Sequence, residues 1–190
     1  MQFTPLDIAD VFLVTPRRFE DARGWFMESW RHEQFSKAIG KEINFVQDNH
    51  SYSAEVGTVR GLHYQSPPHA QGKLVRCTRG AVMDVAVDFR RSSPSYGQWV
   101  GERLTEESGK MLWVPAGFLH GFATLAPGSE VQYKCTDVYA ADCDANVAWD
   151  DADLAIDWGI SHGFNPNQAV ISDKDAAAPA FNTVKSPFKY

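Results

Sequence analysis

Between Gly57 and Tyr133 the chain is a succession of short apolar stretches cut by glycine and proline turns. Within those stretches, bases, a phenol and cations recur at every second position. A strand turns successive side chains to opposite faces, so in a sheet that closes on itself one of the two sets can share a cavity. Along the whole chain at least eight short strands separated by Gly/Pro turns, with little helix, point to an antiparallel β-fold. Because polar residues keep falling on faces that should be internal, the reading is a jelly-roll barrel; an immunoglobulin-like sandwich would keep that core dry.

The segments follow in order. Val11–Thr15 reads as a strand stopped by Pro16, Phe19–Gly24 as a charged turn, and Trp25–Glu28 as a strand. Ser29–Ile39 is the one convincing early helix, with Gly40 as its stop. In Asn44–Ser51, Gln47 and Asn49 share a face with Phe45. That face is either the wet side of an edge strand or the wall of a polar cavity or interface. Two strands flank Arg79-Gly80, a third restarts at Gly97, and Glu102–Lys110 is a polar turn region. Met111–Val114 is a strand, and Phe118–Leu125 and Glu130–Asp137 form a pair around Pro127-Gly128. Beyond Asp137 the aspartates read as solvated surface, with Trp149 and Trp158 as packing anchors. Ile171–Asp175 is a polar loop, and the segment from about Ala176 to Tyr190 is a tail over the surface or a neighbour. The chain of 190 residues is expected to form a single domain, 1–190.

A formal charge of -6 without a basic stripe argues against a nucleic-acid partner. No run is apolar enough to span a membrane, and the N-terminus lacks a signal-peptide pattern. Three widely spaced cysteines suit reduced thiols. The expected location is the cytoplasm.

His63 stands near the start of the central sheet and suits a general base; His120 and Tyr133 stand in apolar strands where packing requires no polar group, and burial without a partner is costly. No His-x-His pair occurs here, and Lys73 nearby would repel an ion, so a metal site is not expected. Two imidazoles, a phenol and cations instead suit proton abstraction next to a carbonyl, with positive groups holding the oxyanion. Arg23, Arg60, Lys73 and Lys174 are candidate anion contacts. Tyr139 is either a platform for a flat base or a rim aromatic.

Several runs together carry a likeness: Phe19–Gly24, Gln47–Ser51, Arg60–Gln65, Gln71–Val75, Asp84–Arg90, Met111–Phe118, His120–Phe122, Tyr133–Asp137 and Ser172–Asp175. In that order and over nearly the whole chain, the sequence resembles the dTDP-4-dehydrorhamnose 3,5-epimerase family. The resemblance implies an all-β, cupin-like antiparallel jelly-roll barrel with short peripheral helices, working without cofactor or metal. It implies His63 as base, Asp175 as its orienting carboxylate, Tyr133 as the acid on the opposite face, and Lys73 and His120 near the enolate or substrate. Arg23, Glu28, Gln47, Asn49, Arg60, Asp144 and Lys174 would hold the nucleotide sugar, and Tyr139 would stack on thymine. It further implies a homodimer whose exchanged N-terminal strands complete the neighbour's site.

Two positions depart from the family pattern: Asp144 where a glutamate is usual, and Ala141 where a proline usually follows Tyr139. Both bear on ligand affinity more than on the reaction. The expected activity is epimerisation at C3 and C5 of a dTDP-4-keto-6-deoxyglucose. The alternatives are a single-carbon epimerase with the same catalytic residues and a non-catalytic sugar-nucleotide-binding cupin.

Overall fold

In a computed structural model, which describes residues 1–190, the chain forms strands β1 (Gln2–Pro5), β2 (Phe12–Thr15), β3 (Arg18–Asp21) and β4 (Gly24–Met27), then helix α1 (His32–Ile39). There follow β5 (Gln47–Ser53), β6 (Val59–Gln65), β7 (Lys73–Arg79), β8 (Ala81–Asp88), β9 (Trp99–Thr105), β10 (Met111–Val114), β11 (Phe118–Thr124) and β12 (Ser129–Cys135). A short β13 (Asp144–Asn146) and helix α2 (Asp173–Ala176) complete the set. Six strands form one sheet in the order β1-β2-β10-β7-β12-β5, and five form another, β13-β6-β11-β8-β9. Neighbours in both sheets run antiparallel. The expected all-β jelly roll with short peripheral helices is what the chain builds.

Alternation along the strands divides the interior. Val75 and Cys77 of β7, Val82 and Ala86 of β8, Phe118 and Phe122 of β11 and Val131 of β12 meet in one core between the sheets. The opposite faces of β8 and β11, carrying Val85, Val87, Leu119 and Ala123, are covered by Trp149, Trp158, Phe164, Phe181 and Phe188. Strand β11 is therefore buried along all seven residues, as a strand covered on both faces should be. Helix α1 seats Phe35 against Trp113 and Met111 on the outer face of the six-stranded sheet. Its end is set by Gly40 in the left-handed region, whose N–H closes the last turn on Ser36 O.

The structure corrects four local expectations. Phe19–Asp21 is strand: β3 and β4 form a hairpin turning at Ala22-Arg23, in register Asp21 to Gly24. Glu102–Thr105 continues β9, because pairing with β8 through Ala81 overrides its polar composition. Ser172 Oγ accepts the N–H of Asp175 and so starts a helical turn where a loop was expected. The C-terminal segment does not lie loosely on the surface: Phe181, Ser186 and Phe188 are buried, the two rings filling space beside Phe89.

One buried ion pair locks the end of β8. Asp88, wholly buried, accepts two hydrogen bonds from the Arg90 guanidinium, one from its backbone N–H, and one each from the Ser93 and Ser95 hydroxyls. Burial alone would raise its pKa, but these donors outweigh burial and hold the carboxyl below its usual range. Asp88→Asn is expected to lower the unfolding free energy by about 3 kcal/mol in urea denaturation near neutral pH. A folded-state pKa below the unfolded value gives stability that is complete above about pH 4 and is lost as pH falls through the folded value. The gap between wild type and variant should therefore close in acid.

Candidate active site

A cavity of about 460 Å³ opens between the two sheets where β5, β7 and β12 face β6 and β11. Arg60, His63, Lys73, His120, Phe122, Tyr133, Lys174 and Asp175 are among its lining residues. Two of these, Arg60 and His63, are three residues apart on one strand, so regular alternation would send them to opposite faces. A bulge brings them together. His63 pairs with His120, but Arg60 pairs with Phe122, so β6 spends one extra residue between the two pairs.

The bulge depends on two glycines. Gly61 has φ +143°, and a Cβ there would lie 2.6 Å from Gly121 Cα. A Cβ on Gly121 would lie 2.9 Å from Arg60 O and 3.1 Å from the Trp158 ring. Neither approach leaves room for a side chain.

His63 is held from behind. Its Nε2 is 2.6 Å from Asp175 Oδ1, and Asp175 is 5% exposed, at the first turn of α2. Burial would raise the Asp175 pKa, but hydrogen bonding and charge from His63, with the Gly61 N–H and the Asn146 amide, lower it overall. The carboxylate accepts the proton on Nε2, which leaves His63 Nδ1 free to act as a base.

Lys73 borders the same cavity, its Nζ 5.9 Å from the centre of the Tyr133 ring. Burial pushes its pKa down, and the opposing pull of Cys135, Asp144 and Asp84 does not restore it. Burial also pushes the Tyr133 phenol up, so it stays protonated and available as an acid. On β11, beside β6, His120 Nε2 lies 2.9 Å from Asp84 Oδ1 of β8, and burial lowers the pKa of this imidazole. No three His, Cys, Asp or Glu side chains anywhere in the chain converge in the manner of a metal site.

At the rim, Asp144 Oδ2 receives Lys174 Nζ at 2.6 Å and the Tyr139 hydroxyl at 3.1 Å. Tyr139 itself is 58% exposed, open to stacking. Its loop is tied down by two side chains: Gln47 Oε1 accepts the Tyr139 N–H and Gln65 Oε1 the Ala140 N–H. Gln47 thus supports the loop, with its amide donating to Asn49, and Asn49 in turn donates to the Cys135 thiol. Arg60 is braced by Ser53 Oγ and the Tyr52 carbonyl.

Gln47, Asn49, Tyr139 and Asp144 belong to this rim network and do not line the cavity, and two further expected residues are elsewhere. Arg23 sits on the β3–β4 hairpin, bonded to Asp21, and Glu28 pairs with Arg31; neither lines the cavity. Two supporting residues were missed by the sequence reading. Gln65 looks like any polar strand residue until its loop contacts are seen. Asp84 alternates with apolar residues on β8, and that alternation was the available signal.

Gly61→Ala is expected to cost about 1–3 kcal/mol in urea denaturation, as overpacking does. It should also turn His63 away from Asp175, seen as loss of the strongly deshielded Nε2–H resonance of that pair.

The family model described as dTDP-4-dehydrorhamnose 3,5-epimerase matches residues 5–183. A dTDP-4-dehydrorhamnose 3,5-epimerase of Sinorhizobium fredii is 48% identical over 190 residues, covering 100% of this chain and 94% of that one. One from Pseudomonas aeruginosa is 49% identical over 181 residues, covering 95% and 96%. Among solved structures, a dTDP-6-deoxy-D-glucose-3,5-epimerase of Legionella pneumophila in complex with dTDP-4-keto-L-rhamnose superposes with TM-score 0.93 at 39% identity, covering 100% of this chain and 98% of that one.

Proposed function

The chain belongs to the dTDP-4-dehydrorhamnose 3,5-epimerase family, and on that premise we propose that it converts dTDP-4-dehydro-6-deoxy-α-D-glucose into dTDP-4-dehydro-β-L-rhamnose by inverting C3 and C5. The observation that carries this reading is an imidazole–carboxylate pair, a half-buried lysine and a half-buried phenol bordering one cavity.

The C4 ketone of such a sugar acidifies the hydrogens on both neighbouring carbons, since removing either leaves an enolate. His63 Nδ1 takes the proton, and Asp175 stabilises the imidazolium that results. A carbon acid remains far weaker than an imidazolium, and each pKa unit of mismatch costs about 1.4 kcal/mol. Cationic stabilisation of the enolate oxygen closes that gap. Lys73 suits the role because its charge is poorly solvated and gains most when an anion forms beside it. Tyr133, kept protonated by burial, returns a proton to the carbon from the other face. The reaction moves protons only, with no net electron transfer, so no cofactor is assigned.

Tyr139 stacks on the thymine, and Arg60 and Lys174 face the diphosphate, where a planar guanidinium suits phosphate oxygens. Asn49 and Gln47 border the sugar-nucleotide through the strand and loop they brace. The protein is proposed to work in the cytoplasm, where its three free thiols stay reduced. No helix is long and apolar enough to cross a membrane.

The dimer is part of the proposal. The β3–β4 hairpin exposes Phe19, Trp25 and Phe26, at 50%, 52% and 70%. Guanidinium groups lie over two of these rings, Arg17 over Phe19 and Arg18 over Trp25. A second copy covering this hairpin would hide that apolar surface and bring Arg23 and Glu28 to the neighbour's cavity. Light scattering is expected to give twice the chain mass. Phe26→Asp should weaken association by about 2 kcal/mol, roughly 30-fold, and activity should fall with the dimer. A fully active monomer would sink this part.

For the reaction, incubation with the keto-sugar nucleotide in deuterated water should label the product at both C3 and C5. Label at one carbon would assign a single-carbon epimerase instead, and none would leave a sugar-nucleotide binder. His63→Ala should reduce exchange by at least about 100-fold, the scale of a general base.

A further inference from the structure

Two carboxylates on β8 face inward, and they are treated differently by the fold. Asp88 receives a donor at every available direction and is explained by packing. Asp84 is equally buried, at 0% exposure, yet its only hydrogen bond is from His120 Nε2, and no donor reaches its Oδ2. A buried carboxylate with an unmatched oxygen costs stability. Val82 and Ala86, its inward-facing neighbours on β8, belong to the apolar core between the sheets, so packing there accepts a hydrocarbon. The retained charge calls for a role beyond packing.

Its partner supplies one. His120 lies directly opposite His63 on the adjacent strand and lines the same cavity, whereas Asp84 stands behind it. Each imidazole is thus held through Nε2 by a carboxylate, at 2.6 Å for His63 and 2.9 Å for His120. A carboxylate only accepts, so the proton of a neutral His120 sits on Nε2, and the nitrogen left for the cavity is an acceptor. We propose that Asp84 is a positioning residue that fixes His120 in its Nε2–H tautomer, so that Nδ1 accepts a hydrogen bond from a hydroxyl of the bound sugar and leaves the enolate oxygen to Lys73. The inference rests on the epimerase reading and assigns His120 a role different from that of an oxyanion donor.

The surroundings agree with a neutral ring. His120 is 6% exposed, and its burial, together with the nearby Lys73 and His63 charges, disfavours the imidazolium despite the pull of Asp84. During turnover His63 gains a positive charge beside it, which opposes a second protonation further. A ring locked as acceptor orients the substrate in the same way before and after the proton has moved.

The test pairs spectroscopy with kinetics. Nitrogen-15 spectra of histidine-labelled wild-type protein near pH 8 are expected to show His120 neutral with the proton on Nε2. An Nδ1–H tautomer or an imidazolium there overturns the proposal, and this result needs no variant. In Asp84→Asn the side-chain amide can donate to Nε2 and drive the proton to Nδ1. That variant is expected to show the exchanged tautomer and to lose about 10- to 100-fold in kcat, the scale seen when the carboxylate that orients a metal-bound imidazole is removed. Its KM for a thymidine diphosphate sugar should stay within a few-fold, because the nucleotide contacts are elsewhere. Asp84→Asn with the tautomer changed and kcat unaltered would also overturn it. If wild type exchanges no deuterium into the sugar, the epimerase reading fails, while the tautomer measurement still stands as a separate result.

Discussion

The site depends on how closely β6 and β11 can approach. At Gly61 and Gly121 the two backbones come within a distance that excludes any Cβ. That contact admits one extra residue into β6 and turns Arg60 and His63 toward the same cavity. An ordinary strand would have given the cavity one of them and buried or exposed the other. The same strand carries His63 to Asp175, whose carboxylate orients the base. Local geometry and chemistry are thus parts of one arrangement.

Electrostatics inside the molecule separates two kinds of buried charge. Around Asp88 the donors are complete and the carboxyl is held ionised, a pattern that joins the end of β8 to its loop. Around the cavity the balance is left unfinished. Lys73 lowers its pKa through burial, Tyr133 raises its own for the same reason, and Asp84 has one oxygen with no donor. Unmatched groups of this kind cost folding energy, and perturbed titratable groups gathered at one cavity mark a functional site.

The rim is organised by side chains whose business is other side chains. Asp144 collects Tyr139 and Lys174, while Gln47 and Gln65 fasten the loop that carries the aromatic ring. Those bonds fix the loop by side chain to backbone contacts. The hairpin of β3 and β4 is tied to the body through Arg18 and the Glu106 carbonyl, yet its aromatic rings remain exposed, and its Arg23 lies away from the cavity.

Much was legible in the residue order. Period-2 alternation marked most strands, glycine marked their ends and the end of α1, and the motifs carrying His63, Lys73, His120 and Tyr133 named the groups that meet in the cavity. Alternation is local physics, so a sequence states it directly. What remained hidden was non-local. The strand character of Glu102–Thr105 came from its partner β8, the fit of Phe181 and Phe188 from a core assembled elsewhere, and the isolation of Asp84 from the absence of a second donor around it. Residue types alone determined that the chain would be antiparallel β with polar groups inside. That His63 and Arg60 point the same way was decided only in the tertiary structure, because a bulge is defined by the register between two strands and neither strand carries that register by itself.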